Sequence, residues 1–143
     1  MPDPVLTSFD APNADESCAG RVRTNTPLSA LASLNETIFV EASQTLAQRI
    51  LNEGGNSNEE RANYGYLLTT GRPANTFESR EIANFVKSQN DRLADGWLDI
   101  RKIAFKDSDT IPELPEGVTP KDVAAWTIAS RVLLNLDETL TKN

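Results

Sequence analysis

Histidine is absent from the 143 residues, and cysteine occurs once, at Cys18. The chain therefore has no imidazole base, no serine–histidine–aspartate or cysteine–histidine nucleophile pair, and no CxxCH haem attachment. Zinc sites built from histidine and cysteine are excluded as well, and one cysteine cannot form a disulfide within the chain. We expect no cofactor, no metal and no catalytic constellation, and so no enzyme activity.

A basic surface and a long apolar segment are also missing. The net charge is −7, which argues against nucleic acid as a partner, because phosphate binding requires a basic face. No apolar run approaches the ~18 residues of a membrane span. The first residues, MPDPVLTSFDAP, lack a basic stretch followed by an apolar one, so we expect no export signal.

The chain divides into an arm and a helical domain. Residues 1–25 contain Pro2, Pro4, Pro12 and Gly20 with little periodicity, which predicts an extended, irregular arm. Residues 26–143 begin with a threonine N-cap followed by proline, a typical helix start, and this helical domain continues to the end of the chain.

Helical periodicity recurs along the second part, and no convincing strand alternation interrupts it. The predicted fold is therefore an all-α, bundle-like domain of five to six helices. Its boundaries follow from caps, glycines and prolines: a short helix from Thr26-Pro27 to Leu34, one from Asn35 to Gly54-Gly55, one from a Ser57/Glu60 capping box to Gly71, one from Thr76 to Gly96, a short one near Ile100, and one from Thr119-Pro120 through Leu140.

The spacing of apolar residues predicts which faces are buried. A stripe on the second helix consists of Ile38, Phe39, Ala42, Leu46 and Ile50, and one on the last consists of Trp126, Ala129, Leu133, Leu136 and Leu140. Gly65 costs ~1 kcal/mol in a helix interior, which indicates a close helix crossing there. We interpret Trp126 as a core residue rather than a ligand platform.

Arg21 and Arg23 lie just before the first predicted helix, where cations are unfavourable. One interpretation is structural: the arginines pair with carboxylates of the arm, such as Asp10, and pin it to the helical body. The other is functional: Arg21 and Arg23, with Thr24, Asn25 and Thr26, bind an anionic group of a partner or glycan. We favour the structural interpretation and keep the five residues as candidate contacts.

Other groups have a plain interpretation beside a chemical one. Cys18 is either a buried small hydrophobe or a thiol activated by the nearby arginines. The acidic loop of residues 106–118 favours solvated carboxylates over a calcium site. Asp137 and Glu138 are adjacent on a helix, about 100° apart, so they do not converge on one substrate atom.

Three segments resemble the family called domain of unknown function 1553, which occurs in large planctomycete proteins beside cytochrome c-type domains. They are FDAPNADESCAGRVRTNTPLSALASLN (residues 9–35), LLTTGRPANTFE (residues 67–78) and AWTIASRVLLNLDETLTKN (residues 125–143). The motif positions, to which the resemblance implies a structural role, are Phe9, Asp10, Pro12, Cys18, Pro27, Asn35, Gly71, Arg72, Pro73, Trp126 and Asn135.

The resemblance is to the C-terminal portion of the family domain, so we expect a truncated or free-standing remnant of a larger protein. It implies exported or cell-envelope relatives, with haem only on separate domains, and supplies no activity. The favoured hypothesis is a non-catalytic helical interaction module whose segment Phe9 to Asn35 docks on a protein partner or on the missing N-terminal part. The alternative is a fragment of an enzyme or redox assembly acting on anionic polysaccharide through Arg21 and Arg23.

Overall fold

The computed structural model describes residues 36–96, 98–107 and 109–140. Within these ranges the chain forms six α-helices and no strand, which confirms the predicted all-α class. The helices are α1 (Thr37–Glu53), α2 (Asn58–Thr70), α3 (Thr76–Ala94), α4 (Ile100–Ala104), α5 (Pro120–Leu134) and α6 (Asp137–Leu140). The predicted arm of residues 1–25 and the short helix from Thr26 to Leu34 lie outside the described residues.

Capping boxes begin three of the helices, as local chemistry dictates. In α2 the Ser57 hydroxyl accepts from the Glu60 N–H and the Glu60 side chain accepts from the Ser57 N–H, which confirms that predicted start. Thr119 caps α5 in the same way with Asp122. For α3 the predicted cap was wrong: Asn75, not Thr76, is the N-cap, because its side chain reaches the N–H of Glu78 three residues on.

The core surrounds α5, which packs against α1, α3 and α4. Trp126 is 1% exposed and is among the largest fully buried side chains, so its predicted core role is confirmed. The last predicted helix was too long: α5 ends at Leu134 with Asn135 as its C-cap, and α6 follows as a separate turn. Leu136 and Leu140 are accordingly only partly buried.

The buried face of α1 differs from the predicted apolar stripe. Ile38 is 70% exposed and Ala42 is exposed, whereas the polar Ser43 and Gln44 are buried. Gln44 is accommodated because its Nε2 donates to the carbonyl of Ile103 at 3.0 Å, at the end of α4. The N-cap of this helix is Glu36, one residue after the predicted start at Asn35.

Gly65 lies at the predicted close crossing. A Cβ added there would come within 2.7 Å of Ile50 Cδ1 on α1 and 3.2 Å of Leu133 Cδ1 on α5. Only the missing side chain lets α2 approach both helices this closely.

Candidate functional site

The turn between α2 and α3 presents an arginine to the rest of the molecule. Gly71 ends α2 with φ 87°, the left-handed conformation that glycine adopts without strain, and its N–H donates to the carbonyl of Leu67. The chain then turns at Arg72 and Pro73 and enters α3 at Thr76. Gly71 thus fixes the direction in which Arg72 leaves the helix.

The Arg72 guanidinium binds two carboxylates at once. Its Nη2 and Nη1 donate to Oε1 and Oε2 of Glu78 at 2.8 and 3.0 Å. Its Nε and Nη2 donate to Oε1 and Oε2 of Glu138 at 2.6 and 2.9 Å. Both pairs have the two-pronged geometry that the planar guanidinium favours. Arg72 is the residue of the family motif around which the charged groups converge.

Tyr66 completes this group from α2. The Arg72 Cζ lies 4.8 Å from the centre of the Tyr66 ring, within the range of a cation–π contact. The tyrosine oxygen accepts a hydrogen bond from Arg72 Nη2 at 2.7 Å and lies 2.8 Å from Glu138 Oε2 and 3.1 Å from Glu78 Oε1. We call Tyr66, Arg72, Glu78 and Glu138 the Arg72 cluster.

The electrostatics of the Arg72 cluster keep its protonation states fixed. The hydrogen bonds from Arg72 lower the pKa of Glu78 to about 2 and lower that of Glu138 as well. Burial, together with the hydrogen bond to Glu138, raises the pKa of Tyr66 to about 12. The same carboxylates raise the pKa of Arg72. None of these side chains exchanges a proton near neutral pH, which a general acid or base must do.

The cluster joins three elements. Glu78 also serves the capping box of α3, where its Oε2 accepts from the Asn75 N–H at 2.7 Å. Glu138 lies in α6, so Arg72 ties the C-terminal turn to the α2–α3 connection. With one cation and two carboxylates the group carries a net charge of −1, and its polar atoms face one another. This arrangement holds helices in place.

The other predicted positions divide into described and undescribed ones. The candidate anion contacts Arg21, Arg23, Thr24, Asn25 and Thr26 lie outside the described residues, and so do the motif positions Phe9, Asp10, Pro12, Cys18, Pro27 and Asn35. The structural and anion-binding interpretations of the arginines both stay predictions. Among the described motif residues, Gly71, Arg72 and Pro73 form the turn of the cluster, whereas Trp126 is core and Asn135 ends α5.

Sequence reasoning missed three members of the Arg72 cluster. They are Tyr66, Glu78 and Glu138, of which Glu138 was considered only as one half of an acidic pair with Asp137. The capping position of Glu78, three residues after Asn75, is a local signal that brings it next to the turn. Glu138 lies 66 positions from Arg72, and no spacing rule connects them.

The acidic loop forms local hydrogen bonds, and the cleft beside it is small. The Asp107 carboxylate accepts from the Asp109 N–H and from the Thr110 hydroxyl, both at 3.0 Å, and the first of these bonds contributes most to its lowered pKa. Across the described ranges, no group of three or more cysteine, aspartate or glutamate side chains is arranged to hold a metal ion. The cleft between α1 and residues 112–115 has a volume of about 30 Å³, room for no more than a few waters.

Among the described helices none is long and apolar enough to cross a membrane.

Comparison with known proteins links the chain to a protein family. Neither the curated proteins nor the solved structures give a match to this chain. The model of the family described as PSD1, protein of unknown function (DUF1553), matches residues 1–86, which include Tyr66, Arg72 and Glu78 of the cluster. The chain therefore belongs to the DUF1553 family.

Proposed function

We propose that this chain is a non-catalytic helical interaction module that binds another protein through the outward face of α3. The observation that carries the proposal is a pair of exposed aromatic side chains on that face. Phe77 is 63% exposed and Phe85 is 36% exposed. Aromatic side chains are enriched where protein surfaces bind one another, and these two lie on the same helix.

The two phenylalanines lie on a rigid support. Phe85 comes eight positions after Phe77, which is about 12 Å along the helix. The opposite side of α3 is anchored in the core through Val86 and Leu93, both at most 2% exposed. The start of the helix is held by the Asn75 capping box and by the bond from Arg72 to Glu78. A rigid helix that presents aromatic groups binds a partner with little loss of conformational entropy.

The Arg72 cluster supports the non-catalytic part of the proposal. Its tyrosine has a pKa of about 12 and its Glu78 a pKa of about 2, so neither transfers protons at neutral pH. Its charges are paired inside the chain. As part of the same proposal, the protein works as the C-terminal part of an exported or cell-envelope protein of a planctomycete-like bacterium, as the family resemblance implies. The partner is then an envelope protein or the N-terminal part of the same family protein.

Site-specific photo-crosslinking tests the proposal. A photoreactive benzoylphenylalanine replaces Phe85 in one variant and the exposed Arg101 of α4 in a control, and both are expressed in cells of the source organism. We expect adducts with a second protein from position 85 and none above background from position 101. The identified protein, once purified, should bind the unmodified chain and lose binding to Phe77→Ser/Phe85→Ser. Equal labelling at both positions, or a crosslink only to residues 1–35 of the same chain, would overturn the proposal.

A further inference from the structure

Helices α5 and α6 are separated by a bend that no helix-breaking residue imposes. The residues from Lys121 to Leu140 include no glycine and no proline, which are the residue types that most often end or interrupt a helix. Asn135, the C-cap of α5, has φ −104° and ψ 7°. These angles differ from those of an ideal helix by only about 40° and 50°. A small change of the backbone at Asn135 therefore separates the bend from a continuous helix.

Hydrogen bonds within the bend stand in for those of an α-helix. The Leu136 N–H donates to the Leu133 carbonyl at 3.4 Å, three residues back rather than four. The same carbonyl accepts from the Thr139 hydroxyl at 2.8 Å. In a continuous helix it would accept from the N–H four residues later, that of Asp137. The bend thus exchanges backbone bonds for a tighter turn and a side-chain bond, without a large loss of hydrogen bonding.

A continuous helix through residue 140 would extend the buried face of α5. Trp126 and Leu133 are buried on that face. At about 100° per residue, Leu136 and Leu140 would lie within about 60° of Leu133, so the four apolar side chains would form one stripe. Glu138 would lie about 140° away from Leu133. The sequence of this segment therefore suits a straight helix as well as the bent one.

The contacts that hold the bend come from another part of the chain and are exposed. Glu138 accepts from Arg72 at 2.6 and 2.9 Å and lies 2.8 Å from the Tyr66 hydroxyl. The Arg72 and Glu138 side chains are both more than two-fifths exposed, and α6 has no buried side chain. Ion pairs exposed to this degree contribute little free energy. The bent arrangement is thus favoured by a small margin.

We propose that the C-terminal turn is a latch: α5 and α6 form one helix that is bent at Asn135 while Glu138 binds Arg72, and straight through residue 140 when that ion pair opens. In the straight form Arg72 loses one of its two carboxylates, and Leu136 and Leu140 extend α5 past its present end. A partner that binds the straight form more tightly shifts the population toward it, by as much as its two affinities differ. The latch is separate from the α3 face of the proposed function, so either can fail alone.

NMR spectroscopy of the full chain tests the proposal. Glu138→Gln weakens the ion pair without changing helix propensity, because the two residues are similar helix formers. Asn135→Ala keeps the ion pair and favours the straight form about threefold through its helix propensity. We expect both variants, and the double variant most, to move the Cα chemical shifts of residues 134–140 toward helical values. A cross-peak between the Hα of Leu133 and the N–H four residues later should appear with them.

Two control variants and one distant signal complete the test. Asn135→Gly lowers helix propensity and should keep the shifts of the bent form. Glu116→Gln, an equal charge change in an exposed loop residue, should match the unmodified chain. In Asn135→Ala the Arg72 Hε resonance should move in proportion to the helical shifts, because the straight form takes Glu138 away from Arg72 Nε.

Three results would overturn the inference. Shifts of residues 134–140 toward unstructured values would mean that the turn melts instead of straightening. Shifts that neither variant changes would mean that the bend does not depend on the ion pair. An Arg72 signal that stays fixed while the helix straightens would mean that the two events are not linked. Amide exchange does not separate these outcomes, since the end of a straight helix frays and exchanges as fast as a melted turn.

Discussion

Arg72 and Glu138 are 66 positions apart in the chain and are joined by two hydrogen bonds, from Nε at 2.6 Å and from Nη2 at 2.9 Å. Both side chains are a little over two-fifths exposed, so solvent screens the pair and its role is to hold one element against another. The element held is α6, a four-residue turn without a buried side chain. The ion pair therefore contributes more to the order of the C-terminal turn than to the stability of the core.

The first prediction concerns that turn. Glu138→Gln removes the charge that binds Arg72, and we expect faster amide exchange in residues 136–140 while the amides of α2 and α3 keep their protection. The reason is that the Arg72–Glu138 ion pair ties α6 to the α2–α3 turn, whereas the hydrogen bonds from Leu136 and Thr139 to Leu133 tie it to the end of α5. Hydrogen exchange followed by mass spectrometry measures this. Glu116→Gln, an equal charge change in an exposed loop residue, is the control and should leave the same amides unchanged.

The second prediction is a pH dependence from Glu78. Its pKa lies at about 2 in the folded chain against an ordinary 4.5, because Arg72 and the Asn75 N–H bind the carboxylate. A lowered pKa adds stability that is fully present above pH 4.5 and is lost as the pH falls toward 2. Urea unfolding across this range should show a steeper loss for the unmodified chain than for Glu78→Gln. Parallel curves for the two proteins would show that Arg72 does not bind the ionised carboxylate.

Local chemistry accounts for the parts of the fold that the sequence predicted well. The Ser57–Glu60 box and the Thr119-Pro120 start involve residues at most three positions apart, so their pattern is visible in the chain. The same rule distinguishes Asn75 from the adjacent Thr76 at the start of α3, because Asn75 has Glu78 three residues later whereas Thr76 has Ser79, which does not complete a capping box. To choose between two adjacent N-cap candidates, one must ask which of them has an acidic partner three residues later.

Tertiary structure determined what the sequence could not. The exposure of Ile38 and the burial of Gln44 reverse what their polarity predicts. The Gln44 Nε2 is buried with a partner, the carbonyl of Ile103 at the end of α4, whereas its Oε1 has no hydrogen-bond partner among the described residues. Glu138 meets Arg72 only because α6 folds back over the α2–α3 turn. Pairings between such distant positions depend on how the helices pack, which periodicity does not determine.

The third prediction tests the turn that directs Arg72. Gly71 has φ 87° and open space around the position of a Cβ, so a side chain there meets no atom but strains the backbone. Gly71→Ala should lower the free energy of unfolding by about 1–2 kcal/mol, the cost of a left-handed alanine. Gly71→Asn should cost less, since asparagine tolerates this conformation. The urea midpoints of the unmodified chain and of the two variants measure these losses of stability. Equal losses for alanine and asparagine would show that backbone strain alone does not cause them.

The fourth prediction tests the crossing of α1 and α2 at Gly65. A methyl group at this position improves helix propensity by about 1 kcal/mol but overpacks the site by about 1–3 kcal/mol. The nearest obstacle is Ile50 Cδ1 at 2.7 Å, on a side chain that is fully buried and has little room to move. We therefore expect Gly65→Ala to lower the free energy of unfolding, measured by urea denaturation.

A double-mutant cycle identifies the obstacle. Ile50→Val removes the Cδ1 atom and alone costs about 0.5–1.5 kcal/mol through the lost methyl group. In the double variant the new alanine occupies part of the vacated space, so the two losses should not add. We expect a favourable coupling of about 1 kcal/mol, within the range for residues in direct contact. Additive losses would mean that Leu133, whose Cδ1 lies 3.2 Å from the same position, restricts the site instead. The double-mutant cycle of Gly65→Ala with Leu133→Ala would then show the favourable coupling.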